Sequence, residues 1–189
     1  MQKKENRESR KKSLFTTKKL VFMSLMIAMS IVLGKYLVIF NTDIIRISLE
    51  NLPIIFTSVV LGPLSGILVA VLADLLGCVL VGFTVNPTVT LGALFVALIS
   101  GLLYGKLPIK SILARLTISV LSAHLIGSVT IKTIGLASWY LAKYDMGFGA
   151  LFSIRLLVYL LTGIAEIAVV SILLNSKSLK KLILKIQGA

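Results

Sequence analysis

The sequence predicts an all-α integral membrane protein with six transmembrane helices and both termini in the cytoplasm. Of its 189 residues, 57% are hydrophobic and only 14% are charged, and the mean hydropathy is +1.01. Soluble domains are about 45–50% apolar and about 25% charged. Since a spanning helix needs about 20 apolar residues, a chain of this length has room for roughly six.

The distribution of charge favours a lipid bilayer over nucleic acid as the partner of the basic segments. The net charge is +13, and eight of the 20 Lys and Arg residues lie in residues 1–19, with four more in residues 177–185. Basic clusters beside apolar spans are typical of cytoplasmic ends and attract anionic lipid. We therefore expect no nucleic-acid binding.

Three segments follow from this pattern. We expect a basic cytoplasmic N-terminal segment over residues 1–18, a six-helix membrane domain over 19–175 and a basic cytoplasmic tail over 176–189. The first apolar run lacks a small-residue cleavage site and is interpreted as a retained span. The single cysteine, Cys78, excludes a disulfide framework within the chain and is interpreted as a packing residue.

Apolar runs and turn signals predict the individual helices. Their expected ranges are 19–39, 52–61, 63–81, 88–104, 111–136 and 150–174. The second begins at Leu52-Pro53, where proline is tolerated in a first turn, and LGPLSG (61–66) ends it after about ten residues. It is too short to cross a bilayer alone, so we expect it to be tilted, buried or partly re-entrant. Connectors 41–51, 82–88 and 139–149 would lie outside.

The proposed topology separates the basic residues by side. With cytoplasmic termini, 15 of the 20 basic residues fall on the cytoplasmic side, as the positive-inside rule requires. The other five are Lys35, Arg46, Lys132, Lys143 and Arg155. Small residues at four-residue spacing (Ala93, Ala97, Gly101 and Gly105) predict close packing of the fourth helix against its neighbours.

Two stripes of polar side chains interrupt the apolar helices. His124, Ser128 and Lys132 share one face of the fifth helix, while Arg155, Tyr159 and Glu166 share one face of the sixth. A charged side chain in mid-membrane costs at least about 2.5–3.5 kcal/mol, so such groups face a bundle interior or a wet cavity. Lys132 and Arg155 repel one another unless an anion lies between them, and that anion would be a ligand.

Each polar residue also has a purely structural interpretation. The two basic side chains can snorkel to the outer headgroups. Glu166 can pair with a neighbouring helix or with Arg115, and Asp74 can accept from nearby hydroxyls or a helix end. His124 can be a hydrogen-bonded interior residue.

Catalytic motifs are missing from the sequence. It contains no Gly-x-x-x-x-Gly-Lys-Ser/Thr phosphate loop, no Gly-x-Ser-x-Gly elbow and no His-Glu-x-x-His zinc motif. We therefore expect no catalytic residues, no metal and no cofactor, and no ATP hydrolysis by this chain. Ser122 and Ser128 beside His124 leave an intramembrane protease as a less favoured alternative.

The middle of the chain resembles a known family. The run IRISLENLPIIFTSVVLGPLSGILVAVLADLLG (45–77) is similar to the substrate-binding S components of energy-coupling factor (ECF) vitamin transporters. Its L-P-I, L-G-P-x-x-G and A-D-L-L-G pieces look most like the folate-specific branch. The T-V-T-L and G-L-L-Y-G pieces of the fourth helix and the WY…R pattern (139–155) also fit.

This resemblance implies a six-helix bundle in the bacterial plasma membrane that binds a vitamin from outside. It also implies partners, namely a membrane coupling subunit and two ATPase subunits. A small-xxx-small motif on the first helix contacts the coupling subunit in this family, and Ser24 and Ala28 match it. Serine stands where alanine is more usual, and it still permits close approach.

Folate, the ligand that the resemblance favours, has a pterin edge, an aromatic middle and a glutamate with two carboxylates. Polarity and location suggest that aromatic side chains, Tyr140 among them, stack on the rings and that Lys and Arg meet the carboxylates. Hydroxyl, amide, carboxylate and imidazole groups would bind the pterin edge. The predicted ligand-binding residues are Arg46, Asp74, Asn86, Thr88, Thr90, His124, Lys132, Trp139, Arg155 and Tyr159.

Two other interpretations stay open at this point. The ligand could be riboflavin or thiamine, although thiamine is cationic and riboflavin offers no carboxylate to the basic residues. From a different class, the chain could be a structural multi-pass membrane scaffold whose polar stripes only hold helices together.

Overall fold

The computed structural model describes residues 16–42 and 45–187, which form seven helices and one short pair of strands. The helices are α1 (Thr17–Tyr36), α2 (Asn51–Leu61), α3 (Pro63–Val81), α4 (Pro87–Lys106), α5 (Ile112–Tyr144), α6 (Phe148–Asn175) and α7 (Lys177–Gln187). The strands β1 (Phe40–Asn41) and β2 (Arg46–Ile47) pair antiparallel between α1 and α2. Most of the basic segment predicted for residues 1–18 lies outside the described residues.

Five of these helices are long and apolar enough to cross a membrane: α1, α3, α4, α5 and α6. The short second helix is confirmed at eleven residues, and nine of them are buried. Its side chains Ile55 and Phe56 belong to the main hydrophobic core. Since α2 is mostly apolar and buried along most of its length, it is stable only when the longer helices surround it.

Gly62 and Gly82 set the ends of α3, which was predicted correctly at 63–81. Gly62 has a φ of 96° and Gly82 a φ of 69°, a backbone region that favours glycine. Pro63 then occupies the first turn of α3, where its missing N–H removes no helical hydrogen bond. The chain therefore reverses sharply between α2 and α3 and ends α3 cleanly.

The fifth helix is longer than predicted, and the prediction that 139–149 is a connector was wrong. Helix α5 continues to Tyr144, and α6 begins at Phe148. Trp139 and Tyr140 are therefore helical, because every residue from 136 to 144 tolerates a helix and only Asp145, with a φ of 52°, ends it. The centre of α5, His124–Ile131, is π-helical, a form that is frequent at functional sites.

Small residues on α4 bring its backbone against its neighbours, as predicted for three of the four positions. Ala93 and Ala97 are buried, and a Cβ at Gly101 would lie 2.9 Å from Cα of Pro63. Gly92 adds a contact that the spacing did not indicate, because a Cβ there would lie 2.7 Å from the carbonyl oxygen of Gly127 on α5. Gly105, in contrast, faces open space.

The predicted basic tail forms the amphipathic helix α7. Leu179, Ile183 and Ile186 pack against the hydrophobic core, while Lys180 and Lys181 are exposed. The Lys18 ammonium lies 3.4 Å from the backbone oxygen of Lys185, near the end of α7. The apolar face of α7 thus covers the end of the bundle at which α1 begins and α6 ends.

Candidate functional site

A cavity of about 690 Å³ opens at one end of the bundle. We call this the cavity end; here α1, α3 and α5 finish, α4 and α6 begin, and the β1–β2 pair lies alongside. The turn between α4 and α5 and helix α7 lie at the opposite end. The charged residues that line the cavity are Lys35, Arg46, Glu50, Asp74, Lys132 and Arg155.

The cavity carries an excess of positive charge. Four cations against two carboxylates leave a formal charge of +2. Because like charges repel strongly where water is scarce, a cavity of this composition attracts an anion. Its volume lies within the range of about 300–1,000 Å³ that is usual for small-molecule sites.

An ion pair between Glu50 and Lys132 lies within this cavity. The Lys132 Nζ atom is 3.1 Å from Glu50 Oε1, and only 2% of the lysine is exposed. Gly92 on α4 makes room for the lysine, since a Cβ at that position would clash with the Lys132 side chain. The pair joins α5 to the residue that precedes α2.

The Glu50 carboxyl lies in the turn before α2, outside the five membrane-length helices, and it faces three cations. Burial by itself raises the pKa of this carboxyl, but Lys132, Lys35 and Arg46 together outweigh burial and lower the pKa to about 2. Glu50 is therefore ionised at neutral pH. Arg46 is held nearby by donating to the backbone oxygen of Gly34.

The second carboxylate that lines the cavity is Asp74 on α3. Thr90 Oγ1 donates to Asp74 Oδ2 at 2.5 Å, which realises the hydroxyl contact that the sequence allowed. The Asn86 side chain accepts from the N–H and the hydroxyl of Thr88, at 3.1 and 2.6 Å. Asp74 and Asn86 line the cavity, whereas the two threonines do not.

Arg155 presents a guanidinium that its neighbours leave partly unsatisfied. Its contacts with the backbone oxygen of Ser128 and the hydroxyl of Tyr159 are both 3.5 Å long, at the weak end of hydrogen-bond geometry. Its Nε atom is buried and has no hydrogen-bond partner within residues 16–42 and 45–187. The side chain therefore keeps donors for a ligand.

Aromatic side chains lie on the last turns of α5. The Trp139 and Tyr140 rings are 4.9 Å apart at 81°, and both residues line the cavity. The Lys143 ammonium lies 4.9 Å from the Trp139 ring centroid, a cation–π distance. Because α5 continues through this region, the two rings stand on a helix and not on a flexible connector.

His124 lies behind the cavity and not in its lining. Its Nε2 atom is 2.6 Å from Glu166 Oε2, its Nδ1 atom is 3.2 Å from Ser128 Oγ, and it is only 2% exposed. The imidazole stacks on the Tyr159 ring at 5.4 Å. Glu166 thus pairs with the neighbouring helix and not with Arg115, which lies 4.3 Å from the Tyr104 ring centroid instead.

The structure brings seven of the ten predicted residues together around the cavity. These seven are Arg46, Asp74, Asn86, Lys132, Trp139, Arg155 and Tyr159. The other three, Thr88, Thr90 and His124, lie behind the residues that line the cavity. Sequence reasoning missed Glu50 and Lys35, although a carboxylate directly before an apolar helix and a lysine at the end of a span were signals that could have identified them.

The two predicted partner-contact residues lie away from the cavity. Ser24 and Ala28 are both exposed on α1, and the Ser24 hydroxyl donates to the backbone oxygen of Leu20 at 2.9 Å. With its own hydroxyl satisfied on the helix, Ser24 leaves a smooth surface that another helix can approach closely.

A bundle of membrane-length helices with a charged cavity at one end defines a membrane protein that binds a small molecule. The chain belongs to the substrate-specific components of ECF transporters, since the family model described as "ECF transporter, substrate-specific component" matches residues 18–184. This family membership implies that the chain binds a vitamin-type substrate and associates with an ECF module.

A solved structure shares the fold. It is described as "Structure and mechanism of the S component of a bacterial ECF transporter", with a TM-score of 0.62 and 22% identity, covering 83% of this chain and 93% of that one. At this identity the likeness shows the fold alone. No curated protein matches the chain.

Proposed function

We propose that this chain is the folate-binding S component of an ECF importer. The observation that carries the proposal is the charge of the cavity, in which four cations outnumber two carboxylates. The two carboxylates of the folate glutamate would balance the resulting charge of +2. A neutral or cationic vitamin would leave the cations repelling one another.

The cavity also offers suitable groups for the remainder of folate. Trp139, Tyr140 and Tyr159 supply aromatic faces for the ring systems. Asp74 and Asn86 also line the cavity and supply acceptors and donors for the pterin edge. In this arrangement Arg155 and Arg46 meet the carboxylates, where a guanidinium can bind in a bidentate manner.

We further propose a topology with six spans in the bacterial plasma membrane and both termini in the cytoplasm. Helix α2 would be the short sixth span within a membrane domain of residues 19–175. The support is the division of basic residues, because four of the five assigned to the outside line the cavity. The cavity would then open outward, and the basic residues 1–18 and 176–189 would face the inner leaflet.

Delivery of the ligand requires the energising partners. We propose that the exposed pair Ser24 and Ala28 on α1 contacts the membrane coupling subunit, which in turn carries two ATPase subunits. Small side chains four residues apart let two helices approach closely in lipid. The cavity lies elsewhere on the bundle, so ligand binding and partner contact would use separate surfaces.

The test of the ligand is isothermal titration of the detergent-purified protein with folate, riboflavin, thiamine and biotin. We expect saturable binding of folate alone. Pteroate, which lacks the glutamate, serves as a matched ligand and should bind more weakly, because it brings only one carboxylate to the cations. Binding of another vitamin without folate would disprove the folate assignment, and so would binding of none of the four.

A further inference from the structure

Lys132 occupies an unusual position among the cations of the cavity. It is 2% exposed and its ammonium lies 3.1 Å from the Glu50 carboxylate. Arg155, in contrast, makes only 3.5 Å contacts and keeps a buried Nε atom without a partner in the described part of the chain. One cation is already neutralised by the protein, and the other is not.

The backbone is shaped around the Glu50–Lys132 pair. A Cβ at Gly34 on α1 would lie 2.8 Å from Glu50 Cβ, closer than side chains approach one another. A Cβ at Gly92 on α4 would clash with the Lys132 side chain. Two helices thus carry glycine where the two members of the pair pass, so the pair is a built feature of the bundle interior.

We propose that Lys132 is a positioning residue and not a ligand contact. Its charge neutralises Glu50 and holds the start of α2 against α5, and the ligand carboxylates bind Arg155 and Arg46 instead. This revises the sequence-based expectation that Lys132 receives a carboxylate. The identity of the ligand rests on the proposed function, whereas the role of the pair does not.

Lys132 as a positioning residue and Lys132 as a direct ligand contact predict opposite results for a variant that lacks both the Lys132 and the Glu50 charge. Loss of Lys132 alone leaves the Glu50 carboxylate inside the site without its ion-pair partner, where it destabilises the fold and repels an anionic ligand. Loss of both charges removes this repulsion. If Lys132 bound the ligand directly, removing Glu50 as well would restore nothing.

The experiment is a double-mutant cycle with the Lys132→Met and Glu50→Gln variants, measured by folate titration and by thermal unfolding without ligand. We expect Lys132→Met to bind folate about tenfold or more weakly and to melt at a lower temperature. The double variant should bind within about threefold of the wild type and recover most of the melting temperature. A double variant as weak as Lys132→Met would overturn the proposal.

Arg155→Met supplies the matched control, since it removes another cation of the same cavity. Adding Glu50→Gln to Arg155→Met should leave binding about tenfold or more below wild type, because Arg155 is not paired with Glu50. Equal rescue of both cation variants would show a general charge effect and contradict a specific pair.

Two further outcomes remain decisive. If the wild type binds no folate, the proposed function fails, but the ligand-free melting temperatures still test the role of the Glu50–Lys132 pair. A double variant that melts no higher than Lys132→Met would overturn that role. If Lys132→Met does not fold, the double variant is compared with wild type directly. Folate binding within about threefold then supports the proposal, and binding about tenfold weaker overturns it.

Discussion

The two ends of the bundle use lysine in opposite ways. At the cavity end, Lys132 is 2% exposed and paired with Glu50. At the opposite end, Lys180 and Lys181 of α7 are exposed while the apolar side of the helix packs against the bundle. An inward lysine needs a carboxylate because lipid and protein do not solvate it, whereas an outward lysine needs only water or headgroups.

This difference shows that the number of cations in a cavity does not identify which of them binds the ligand. What matters is whether the protein already supplies the counter-charge. Glu50 neutralises Lys132, and the cavity still holds Lys35, Arg46 and Arg155 against Asp74. The excess that a ligand meets is therefore carried by the two arginines and Lys35.

The largest expected effect is the loss of the ECF complex, and it comes from a substitution on the outer surface of α1, away from the cavity. Ala28→Trp places a bulky ring on the exposed face of α1, where it would keep the coupling subunit at a distance. We expect complete loss of the ECF complex in co-purification, with folate affinity unchanged in titration. Ile172→Trp, at a position on α6 that is 70% exposed, is the control and should assemble normally. Co-purification of the Ala28→Trp protein at wild-type yield would exclude this face as the contact.

A smaller effect tests directly whether a cation at the cavity end contributes more to ligand affinity than a cation at the opposite end. Arg155→Ala removes a partly unsatisfied cation from the cavity, and we expect folate binding to weaken by about 1.5–3 kcal/mol. Lys181→Ala removes the same charge from the opposite end and should leave the affinity unchanged. Both are measured by titration of folded protein. Equal losses would mean that the net charge of the protein, and not the local contact, governs binding.

Local signals in the sequence predicted much of the fold. Gly62-Pro63 set the reversal between α2 and α3, and the apolar runs gave the five long helices. The same polar stripes that looked costly in lipid proved to line or support the cavity. Each of these features depends on residues close together in the chain, which is why pattern and spacing revealed them.

The features that sequence reasoning missed depend on distant residues. Glu50 and Lys132 are 82 positions apart, so no periodicity joins them. The π-helical segment His124–Ile131 packs against α4 and α6, where Gly92 and Gly163 admit the backbone and the imidazole. The β1–β2 pair has only two residues per strand, too few for an alternating pattern.

The smallest effect compares two glycines on α4, one at each end. Gly92→Ala would force its Cβ against the Lys132 side chain and the carbonyl oxygen of Gly127, and such overpacking costs about 1–3 kcal/mol. Gly105→Ala meets nothing within 4 Å and should be neutral or stabilising, since alanine favours a helix over glycine by up to about 1 kcal/mol. Thermal unfolding of the two variants in detergent measures the difference. Because Gly92 borders the Glu50–Lys132 pair, its substitution should also weaken folate binding, while Gly105→Ala should not. Equal melting temperatures would show that the backbone approach at Gly92 is loose enough to absorb a methyl group, and that the buried lysine can move aside.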